Sequence, residues 1–199
     1  DKWMDVQIHN KVLHEVYYAF VASCFTKHKA DIIMLLAGET NTGKSSLIDV
    51  TRKLVGYENS APISAGSLFS GNPEAGTVAM EMENKLLACD YDAQPFKHLE
   101  LLLKVAMQEP IPGWQMHVAR RPVVNYGRLI VAMNPNNYSV FNSAVARRFI
   151  TINMDVPVIK DNSVMPAIHE EVEGIFNHIL NIGLKHLILN NGQIHQTES

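Results

Sequence analysis

Short, continuous apolar runs alternate along this chain with segments of helical periodicity. Four such runs predict buried strands, because a strand covered on both faces lacks polar alternation. They span Asp31–Ala37, Lys85–Cys89, Arg128–Met133 and Phe149–Met154. Buried strands that alternate with helices predict an α/β fold with a mostly parallel central sheet flanked by helices.

Helical periodicity accounts for much of the sequence between these strands. Apolar residues recur at helical spacing in four segments. These segments are Val6–Phe25, Ser45–Val55, Phe96–Gln108 and Val164–Leu189. Gly56 is expected to end the second helix, and Gly174 and Gly183 are expected to break or bend the last one.

Two further segments have neither pattern. Glu58–Gly76 is rich in Gly, Ser, Pro and Asn, which predicts a long connection with a short strand at Pro62–Ser64. Pro110–Tyr126 is extended, marked by proline and polar in its middle, which predicts a β-hairpin.

Composition narrows the class of protein. The chain has 199 residues, 47% of them hydrophobic and 19% charged, which predicts one folded domain with at most a small appendage. We expect no membrane span, because no apolar run approaches about 18 residues. We also expect no signal peptide, because no basic stretch leads into an apolar one at the start of the chain. Cys24 and Cys89 fit no disulfide or metal pattern, which favours a reducing compartment, the cytoplasm or nucleus. The net charge of −3 neither requires nor excludes a nucleic-acid partner.

A phosphate-binding motif follows the first predicted strand. Gly38–Ser45 fits G-x-x-x-x-G-K-S/T and lies between an apolar strand and a helix, as that motif requires. Glycines let the backbone wrap a phosphate, Lys44 reaches the terminal phosphates of ATP, and the Ser45 hydroxyl binds Mg²⁺. The expected nucleotide-binding residues are Gly38, Glu39, Thr40, Asn41, Thr42, Gly43, Lys44, Ser45 and Ser46.

Two carboxylates follow the second apolar strand. Asp90 stands where P-loop ATPases place the carboxylate that holds Mg²⁺. Asp92 shares a face with Asp90 in an extended chain and could position the attacking water. Tyr91 occupies the second place of the acidic pair that motors often carry, so either carboxylate could orient the water. A strand-end turn that simply favours Asp is the alternative for both.

Two polar elements follow further along the chain. Asn134 ends the third apolar strand, where its amide can bind the water or the γ-phosphate, although Asn134-Pro135 is also an ordinary turn. Arg147 and Arg148 stand directly before the fourth strand. The planar, permanently charged fork of arginine suits a transition-state phosphate, and a solvated basic pair is the alternative.

The order of these elements resembles the superfamily 3 helicases, the AAA+ motors of small DNA viruses, poxviruses, phages and plasmids. The resemblance covers Val16–Ile194. The run Asn41–Ser45 is similar to papillomavirus and parvovirus replication helicases. Met133-Asn134, Tyr138–Val140 and Ala146–Phe149 resemble the polyomavirus large tumour antigen.

The best overall resemblance is to phage and plasmid primase-helicases related to the poxvirus primase-helicase. The segments that carry this resemblance are Glu109–Pro112, Leu129–Asn134, Arg147–Ile152, Glu171–Asn177 and Gly183–Leu187. One departure is Thr42, which stands where that family usually has Asn before the second glycine of the motif.

The resemblance implies roles for several residues. Asn134 becomes the sensor, and Arg148 becomes the arginine finger. The hairpin Trp114–Pro122 takes the place of the DNA-contacting hairpin. Its arginines would contact phosphates, and its aromatic rings would stack on bases for about 1–3 kcal/mol each. The implied DNA-binding residues are Trp114, His117, Arg120 and Arg121. An ordinary surface hairpin is the alternative.

The resemblance also implies an assembly: a homo-oligomeric ring, a hexamer, with ATP and Mg²⁺ between subunits and single-stranded DNA in its channel. A primase, polymerase or nicking domain often accompanies such a motor. The expected division is an N-terminal helical segment (1–30), a P-loop ATPase and helicase core (31–160) and a C-terminal helical segment (161–199). A P-loop small-molecule kinase and a non-translocating ATP-dependent switch are the two competing interpretations.

Overall fold

The computed structural model describes Met4, Ile8 and residues 11–29, 31–70, 74–96, 98–134, 143–154 and 163–194. The strands are β1 (Ile33–Ala37), β2 (Ser60–Pro62), β3 (Leu87–Asp90), β4 (Ile111–Gln115), β5 (Val118–Val123), β6 (Arg128–Met133) and β7 (Phe149–Asn153). The helices are α1 (Lys11–Ser23), α2 (Lys44–Val55), α3 (Ala65–Leu68), α4 (Glu74–Glu81), α5 (Leu99–Ala106), α6 (Ser143–Ala146), α7 (Val164–Glu170) and α8 (Val172–Leu189), with a 3-10 turn at Tyr57–Asn59.

Five strands form one parallel sheet in the order β2-β3-β6-β1-β7. The four predicted buried strands are all in it. The short strand predicted at Pro62–Ser64 lies two residues earlier, as the outer strand β2 (Ser60–Pro62). In the centre, β1 pairs with β6 from Ile33↔Leu129 to Ala37↔Met133, so both strands end at the same level. The predicted α/β fold with a mostly parallel sheet is confirmed.

Both faces of the sheet are covered by helices, and the side chains of β1 alternate between two cores. Met34 and Leu36 belong to a cluster with residues of α1, α2, α7 and α8. Ile33 and Leu35 belong to the opposite cluster, with residues of α3, α4, α5 and β4. Because side chains alternate along a strand, an unbroken apolar run is what a sheet covered on both faces requires.

The predicted hairpin is confirmed as the antiparallel pair β4–β5, with Ile111 opposite Val123. Its strands are separate from the main sheet, and β4 packs against α4. The chain leaves β5 through Asn125 and Gly127 and enters the sheet at Arg128. A Cβ at Gly127 would lie 2.4 Å from the carbonyl oxygen of Lys85, so only glycine allows this close approach.

Two expectations about helices were wrong. The Gly- and Ser-rich stretch predicted as a connection contains α3, which Ser64 caps through the N–H of Ser67, and the start of α4. Burial of Leu68 and Phe69 outweighs the weak helix propensity of that stretch.

The predicted break at Gly183 does not occur, because α8 runs through it unbroken. Gly183 instead allows close packing on α1: a Cβ there would lie 2.2 Å from the carbonyl oxygen of Tyr18. The helical stretch is broken near Gly174 as predicted, since α7 ends at Glu170 and α8 begins at Val172. The predicted helix start at Val6 lies outside the described residues. Within the described part of the chain, no helix is long and apolar enough to cross a membrane.

Candidate functional site

The loop between β1 and α2 has the conformation that the phosphate-binding motif predicts. Asn41 and Gly43 have left-handed φ values of 66° and 91°. A Cβ at Gly38 would lie 2.2 Å from the carbonyl oxygen of Met154, so this position requires glycine. Thr42 is buried, and its hydroxyl donates to the carbonyl of Glu39 at 2.8 Å, which closes the turn.

This loop opens at the amino end of α2. Gly43 is the N-cap of the helix, and no side chain among the described residues caps it. The first N–H groups of a helix carry partial positive charge, so an uncapped helix start favours an anion. Glu39, Thr40 and Ser45 are exposed around the opening, and Ser46 is half-buried.

The ammonium of Lys44 lies over the loop. Its Nζ donates to the carbonyl oxygens of Gly38 at 2.6 Å and Glu39 at 2.7 Å, and it lies 3.5 Å from Oδ1 of Asn134. Burial lowers the pKa of Lys44, and the negative charges of Glu39 and Asp92 act in the opposite direction. The structure thus brings Lys44, Asn134 and Asp92 into one neighbourhood.

Asn134 reaches this neighbourhood because of the strand order. It directly follows β6, whose last residue lies opposite the last residue of β1. The backbone N–H of Gly38 also donates to the carbonyl of Met133 at 3.3 Å, which fixes the loop beside the strand end. Carboxyl ends of parallel strands meet at one edge of the sheet, and ligands of open α/β sheets bind there.

Asp90 ends β3 at this same edge and is buried. Its Oδ2 accepts the N–H of Ala65 at 2.7 Å, and its Oδ1 accepts the N–H of Asp92 at 3.0 Å. Burial raises the pKa of Asp90, the two N–H groups lower it, and the charge of Asp92 raises it. The ionised carboxylate is therefore costly here without a cation, which fits a residue that serves as an Mg²⁺ ligand.

Among the described residues, no group of three or more His, Cys, Asp and Glu side chains could hold a metal ion. A hydroxyl, a carboxylate, phosphate oxygens and water are the ligands that Mg²⁺ uses beside nucleotides. Ser45 and Asp90 supply the first two of these, so the residues present fit a nucleotide-bound Mg²⁺ rather than a protein-caged ion.

Tyr91 points away from this neighbourhood, a contact that the sequence reasoning missed. Its hydroxyl donates to Oδ1 of Asp49 at 2.6 Å and accepts from Nη1 of Arg52 at 3.0 Å. Burial raises the pKa of Tyr91 to about 12, so it stays a neutral donor. Tyr91 thereby joins the end of β3 to α2. Asp92, one residue later, is exposed, and its charge acts on Lys44. The available signal was the pair Asp49 and Arg52, three residues apart on one helix.

Arg148 lies at the opposite edge of the sheet. It precedes β7, and its carbonyl accepts the N–H of Ile33 at the start of β1 at 2.7 Å. A five-residue strand is about 16 Å long, which separates Arg148 from the phosphate-binding loop of the same chain. Its Nη1 lies 3.0 Å from Oδ2 of Asp31. Arg147 is exposed next to it.

Two of the four predicted DNA-binding residues of the hairpin are exposed at or beside its turn, and the other two are engaged in contacts within the chain. His117 is exposed at the turn with a left-handed φ of 65°, and Arg120 is exposed on β5. Arg121 forms a two-pronged ion pair with Glu83, and this pairing holds the pKa of Glu83 below its usual value. Trp114 is half-buried, with its Cδ1 where a Cβ of Gly76 would be, at 2.1 Å. Its ring therefore packs on α4.

The hairpin tip also carries an exposed apolar side chain that sequence reasoning missed. Met116 precedes His117 in the turn and is 74% exposed. The signal available in the sequence was a Met in the polar middle of the predicted hairpin. The stretch Tyr138–Val140, one bearer of the polyomavirus resemblance, lies outside the described residues.

Comparison with known proteins identifies the fold. No protein-family model and no curated protein sequence matches the chain. The apo A form of the NrS-1 C-terminal region aligns with a TM-score of 0.70 at 16% identity, over 89% of this chain and 43% of that one. A second apo structure of that region aligns with a TM-score of 0.64 at 18% identity, over 83% and 41%.

The JCV helicase, in a complex with an acetamide ligand, aligns with a TM-score of 0.51 at 18% identity, over 90% of this chain and 55% of that one. The predicted resemblance is thereby confirmed for the fold, which is similar to that of the JCV helicase and of the NrS-1 C-terminal region. This chain spans less than half the length of the NrS-1 chains that it matches.

Proposed function

We propose that this chain is the ATP-dependent helicase motor of a viral, phage or plasmid DNA replication protein. The observation that carries the proposal is the position of Lys44. Its ammonium lies on the phosphate-binding loop within 3.5 Å of Oδ1 of Asn134 and in the field of Asp92. The first residue of α2 thus supplies a cation, the end of β6 a polar amide, and the segment after β3 a carboxylate, all near one anion-binding helix start.

In the proposed site, ATP binds with its phosphates on the loop Gly38–Gly43 and the amino end of α2. Lys44 exchanges its two carbonyl partners for the terminal phosphates, which offer charge-assisted hydrogen bonds. Ser45 and Asp90 would hold Mg²⁺, which would supply positive charge next to the phosphates. That charge would also offset the cost of the buried carboxylate of Asp90.

The attacking water is oriented by Asp92, with Asn134 as the sensor that binds the water or the γ-phosphate. Asp92 is exposed at the site edge, whereas Asp90 accepts two backbone N–H groups that fix its carboxylate. A carboxylate so fixed suits a metal ligand, and the freer one suits a base. This assigns different tasks to the two residues that the sequence left interchangeable.

The arginine finger acts between subunits. Arg148 lies about one strand length from the loop of its own chain, so it can serve only the site of a neighbour. A homo-oligomeric ring, which we propose to be a hexamer, places it there. In other phosphoryl-transfer enzymes, such arginines accelerate the reaction about 10³–10⁵-fold by stabilising transition-state charge.

The hairpin is the proposed contact with single-stranded DNA in the ring channel. His117 and Arg120 are exposed at and beside its turn and are free to contact a strand. Arg121 contributes after exchanging Glu83 for a phosphate. Trp114 supports the hairpin from its half-buried position on α4 and stacks on a base only if that packing opens.

The remaining parts of the proposal concern the larger protein. The helical segments 1–30 and 161–199 flank the core 31–160. A primase, polymerase or nicking domain accompanies the motor, either fused or as a partner. The protein works in the cytoplasm or nucleus of the host cell.

The test is a DNA-stimulated ATPase assay on the parent chain, Lys44→Ala and the matched control Lys53→Ala, which removes a lysine from the same helix away from the loop. We expect single-stranded DNA to raise ATP turnover of the parent and of Lys53→Ala, with no turnover by Lys44→Ala. Displacement of a labelled strand from a forked duplex measures unwinding.

Each competing interpretation has its own outcome in this assay. A small-molecule kinase hydrolyses little ATP without its acceptor, with or without DNA. A non-translocating switch hydrolyses ATP at a rate that DNA leaves unchanged, and displaces no strand. Either result would overturn the proposed function.

A further inference from the structure

A carboxylate lies between two arginines at the amino edge of the sheet. Asp31 precedes β1 and has a left-handed φ of 49°, a conformation that residues other than glycine seldom adopt. Its Oδ2 lies 3.0 Å from Nη1 of Arg148. Its negative charge also acts on Arg128, the first residue of β6.

Arg128 fixes the segment that carries Asp31. Its buried guanidinium donates to Oγ of Ser23 at 2.9 Å and to the carbonyl of His28. Burial lowers the pKa of Arg128, and Cys24 and Asp31 act in the opposite direction. The turn between α1 and β1 is thus held on a buried cation, which gives Asp31 a fixed position beside Arg148.

The backbone of Arg148 is fixed as well, and its guanidinium is only partly engaged. Its N–H donates to the carbonyl of Val145 at 2.9 Å, and its carbonyl accepts from Ile33 at 2.7 Å. The side chain is 19% exposed, and among the described residues its Nε has no hydrogen-bond partner. A buried donor without a partner is costly, so this guanidinium retains capacity for another acceptor.

We propose that Asp31 is the positioning residue that holds Arg148 in the orientation in which it meets the nucleotide of the neighbouring subunit. The inference rests on the proposed function, because it names Asp31 as the residue that positions the proposed arginine finger, Arg148. The carboxylate fixes one nitrogen of a planar fork and leaves the other donors available. The rotamer entropy of the arginine is then lost on folding rather than in the transition state.

The first test is steady-state ATP hydrolysis by rings of Asp31→Ala and Asp31→Glu. We expect kcat to fall about 10- to 100-fold in Asp31→Ala, the range for a misplaced catalytic group. The KM for ATP should stay unchanged, and Asp31→Glu should restore much of kcat. Glu100→Ala is the matched control, since it removes the carboxylate of the ion pair with Lys104 on α5 and should change neither constant.

Subunit mixing then assigns Asp31 to one side of the interface. Asp31→Ala mixed with Lys44→Ala should regain activity, because some interfaces pair an intact loop with an intact finger and its carboxylate. Asp31→Ala mixed with Arg148→Ala should regain none. The reverse pattern would show that Asp31 serves its own phosphate loop and would overturn the inference.

Failure of the proposed function looks different from failure of this inference. Full activity of Arg148→Ala, or no recovery when Lys44→Ala and Arg148→Ala are mixed, removes the finger itself. If Arg148→Ala behaves as a finger variant while Asp31→Ala keeps its kcat or gains activity, only the positioning role is lost.

A second measurement needs no ring. A double-mutant cycle of urea unfolding with Asp31→Ala and Arg148→Ala measures the interaction between the two side chains. The effect of the double substitution on the unfolding equilibrium constant should differ about twofold to fivefold from the product of the two single effects. The cycle cancels the separate effect of Asp31 on Arg128. Absence of coupling would mean that Asp31 does not hold Arg148 in the single protomer, and would overturn the inference.

Discussion

The two edges of the central sheet differ in how completely their polar groups are satisfied. At the carboxyl edge, Asp90 accepts two backbone N–H groups, and Lys44 donates to two loop carbonyls and approaches Asn134. At the amino edge, Arg148 has an ion pair with Asp31, yet among the described residues its Nε has no partner.

Under the proposed function, this difference means that one copy of the chain holds two halves of a site rather than one complete site. In that proposal, the carboxyl edge supplies the residues that bind nucleotide and Mg²⁺, and the finger arginine is not among them. The amino edge has the arginine about 16 Å away, across the length of a strand. The proposed ring would bring the opposite edges of two copies together, with the nucleotide between the subunits.

The largest expected effect is at the carboxyl edge. Lys44→Ala should abolish ATP turnover, because the charge that holds the terminal phosphates is lost. Turnover by the purified variant, compared with Lys53→Ala, measures this effect. Normal hydrolysis by Lys44→Ala would show that the carboxyl edge is not a nucleotide site.

The next effect is at the amino edge. Arg148→Ala should lower turnover about 10³-fold or more while nucleotide binding is retained, because the arginine acts only on the transition state. A fluorescent nucleotide titration and an ATPase assay separate the two quantities, after sedimentation has confirmed assembly. Arg147→Ala is the matched control and should stay near parent activity. Equal losses in both arginine variants would contradict the assignment of the finger.

The contrast between the edges also explains what the sequence could predict. The loop Gly38–Ser45 is a local motif, and its glycines and lysine are recognisable without any tertiary contact. The strands could be predicted from their apolar runs, since burial on both faces leaves a continuous signal. That Asn134 lies beside Lys44 depends on the strand order, which periodicity does not encode.

Contacts distant in sequence could not be predicted. Asp31 and Arg148 are 117 residues apart, and Tyr91 and Asp49 are 42 apart. The spacing of Asp49 and Arg52 marks a charged helix face, but nothing local indicates that Tyr91 lies against it. Nothing local marks Asp31 and Arg148 as a pair either. Gly183 was misinterpreted for the same reason: a glycine that lets two helices touch and one that ends a helix look alike until the partner helix is known.

Substitutions of the two carboxylates at the carboxyl edge should lower ATP turnover by different amounts. Asp90→Asn should abolish Mg²⁺-dependent turnover, and Asp92→Asn should keep nucleotide binding but slow turnover by about 10²-fold, as for loss of a general base. Equal nucleotide binding and equal rates for Asp92→Asn and the parent would remove Asp92 from the site.

The pH dependence of Mg²⁺ binding tests the same carboxylate. Burial raises the pKa of Asp90, so its protonated form persists to a higher pH than for an exposed aspartate. Mg²⁺ competes with that proton, and its affinity should fall on acidification at a higher pH than an ordinary carboxylate predicts. Magnesium titrations of the nucleotide complex over a pH series provide the measurement. No change of affinity across the acid range would contradict a role of Asp90 as ligand.

A smaller effect is expected from the hairpin, which leads into the amino edge at Arg128. Arg120→Ala should weaken single-stranded DNA binding and lower the salt slope by about 0.7, the value for one phosphate contact. Arg121→Ala should change the DNA affinity and the salt slope less, because the guanidinium of Arg121 already pairs with Glu83. His117→Ala should weaken binding without changing the slope, and basal ATP turnover should persist in all three. Unchanged DNA affinity at low salt would exclude the hairpin as the contact.

The smallest effect concerns the helix packing that supports the amino edge. Gly183 of α8 touches α1, which ends at Ser23, and the Oγ of Ser23 accepts from Arg128. A Cβ at Gly183 would lie 2.2 Å from the carbonyl oxygen of Tyr18 and 2.7 Å from the Cβ of Ala22, so the two helices must separate. Gly183→Ala should therefore lower the free energy of unfolding by about 1–3 kcal/mol.

Gly174 of the same helix is the matched control. A Cβ there meets no atom of the described residues within 4 Å. Gly174→Ala should raise the free energy of unfolding by up to about 1 kcal/mol, because alanine loses less backbone entropy in a helix. Urea midpoints at equal m-values measure both changes. If both substitutions change the free energy of unfolding in the same direction, the close contact of α8 with α1 does not stabilise the end of α1. The position of Arg128 then depends on its own hydrogen bonds alone.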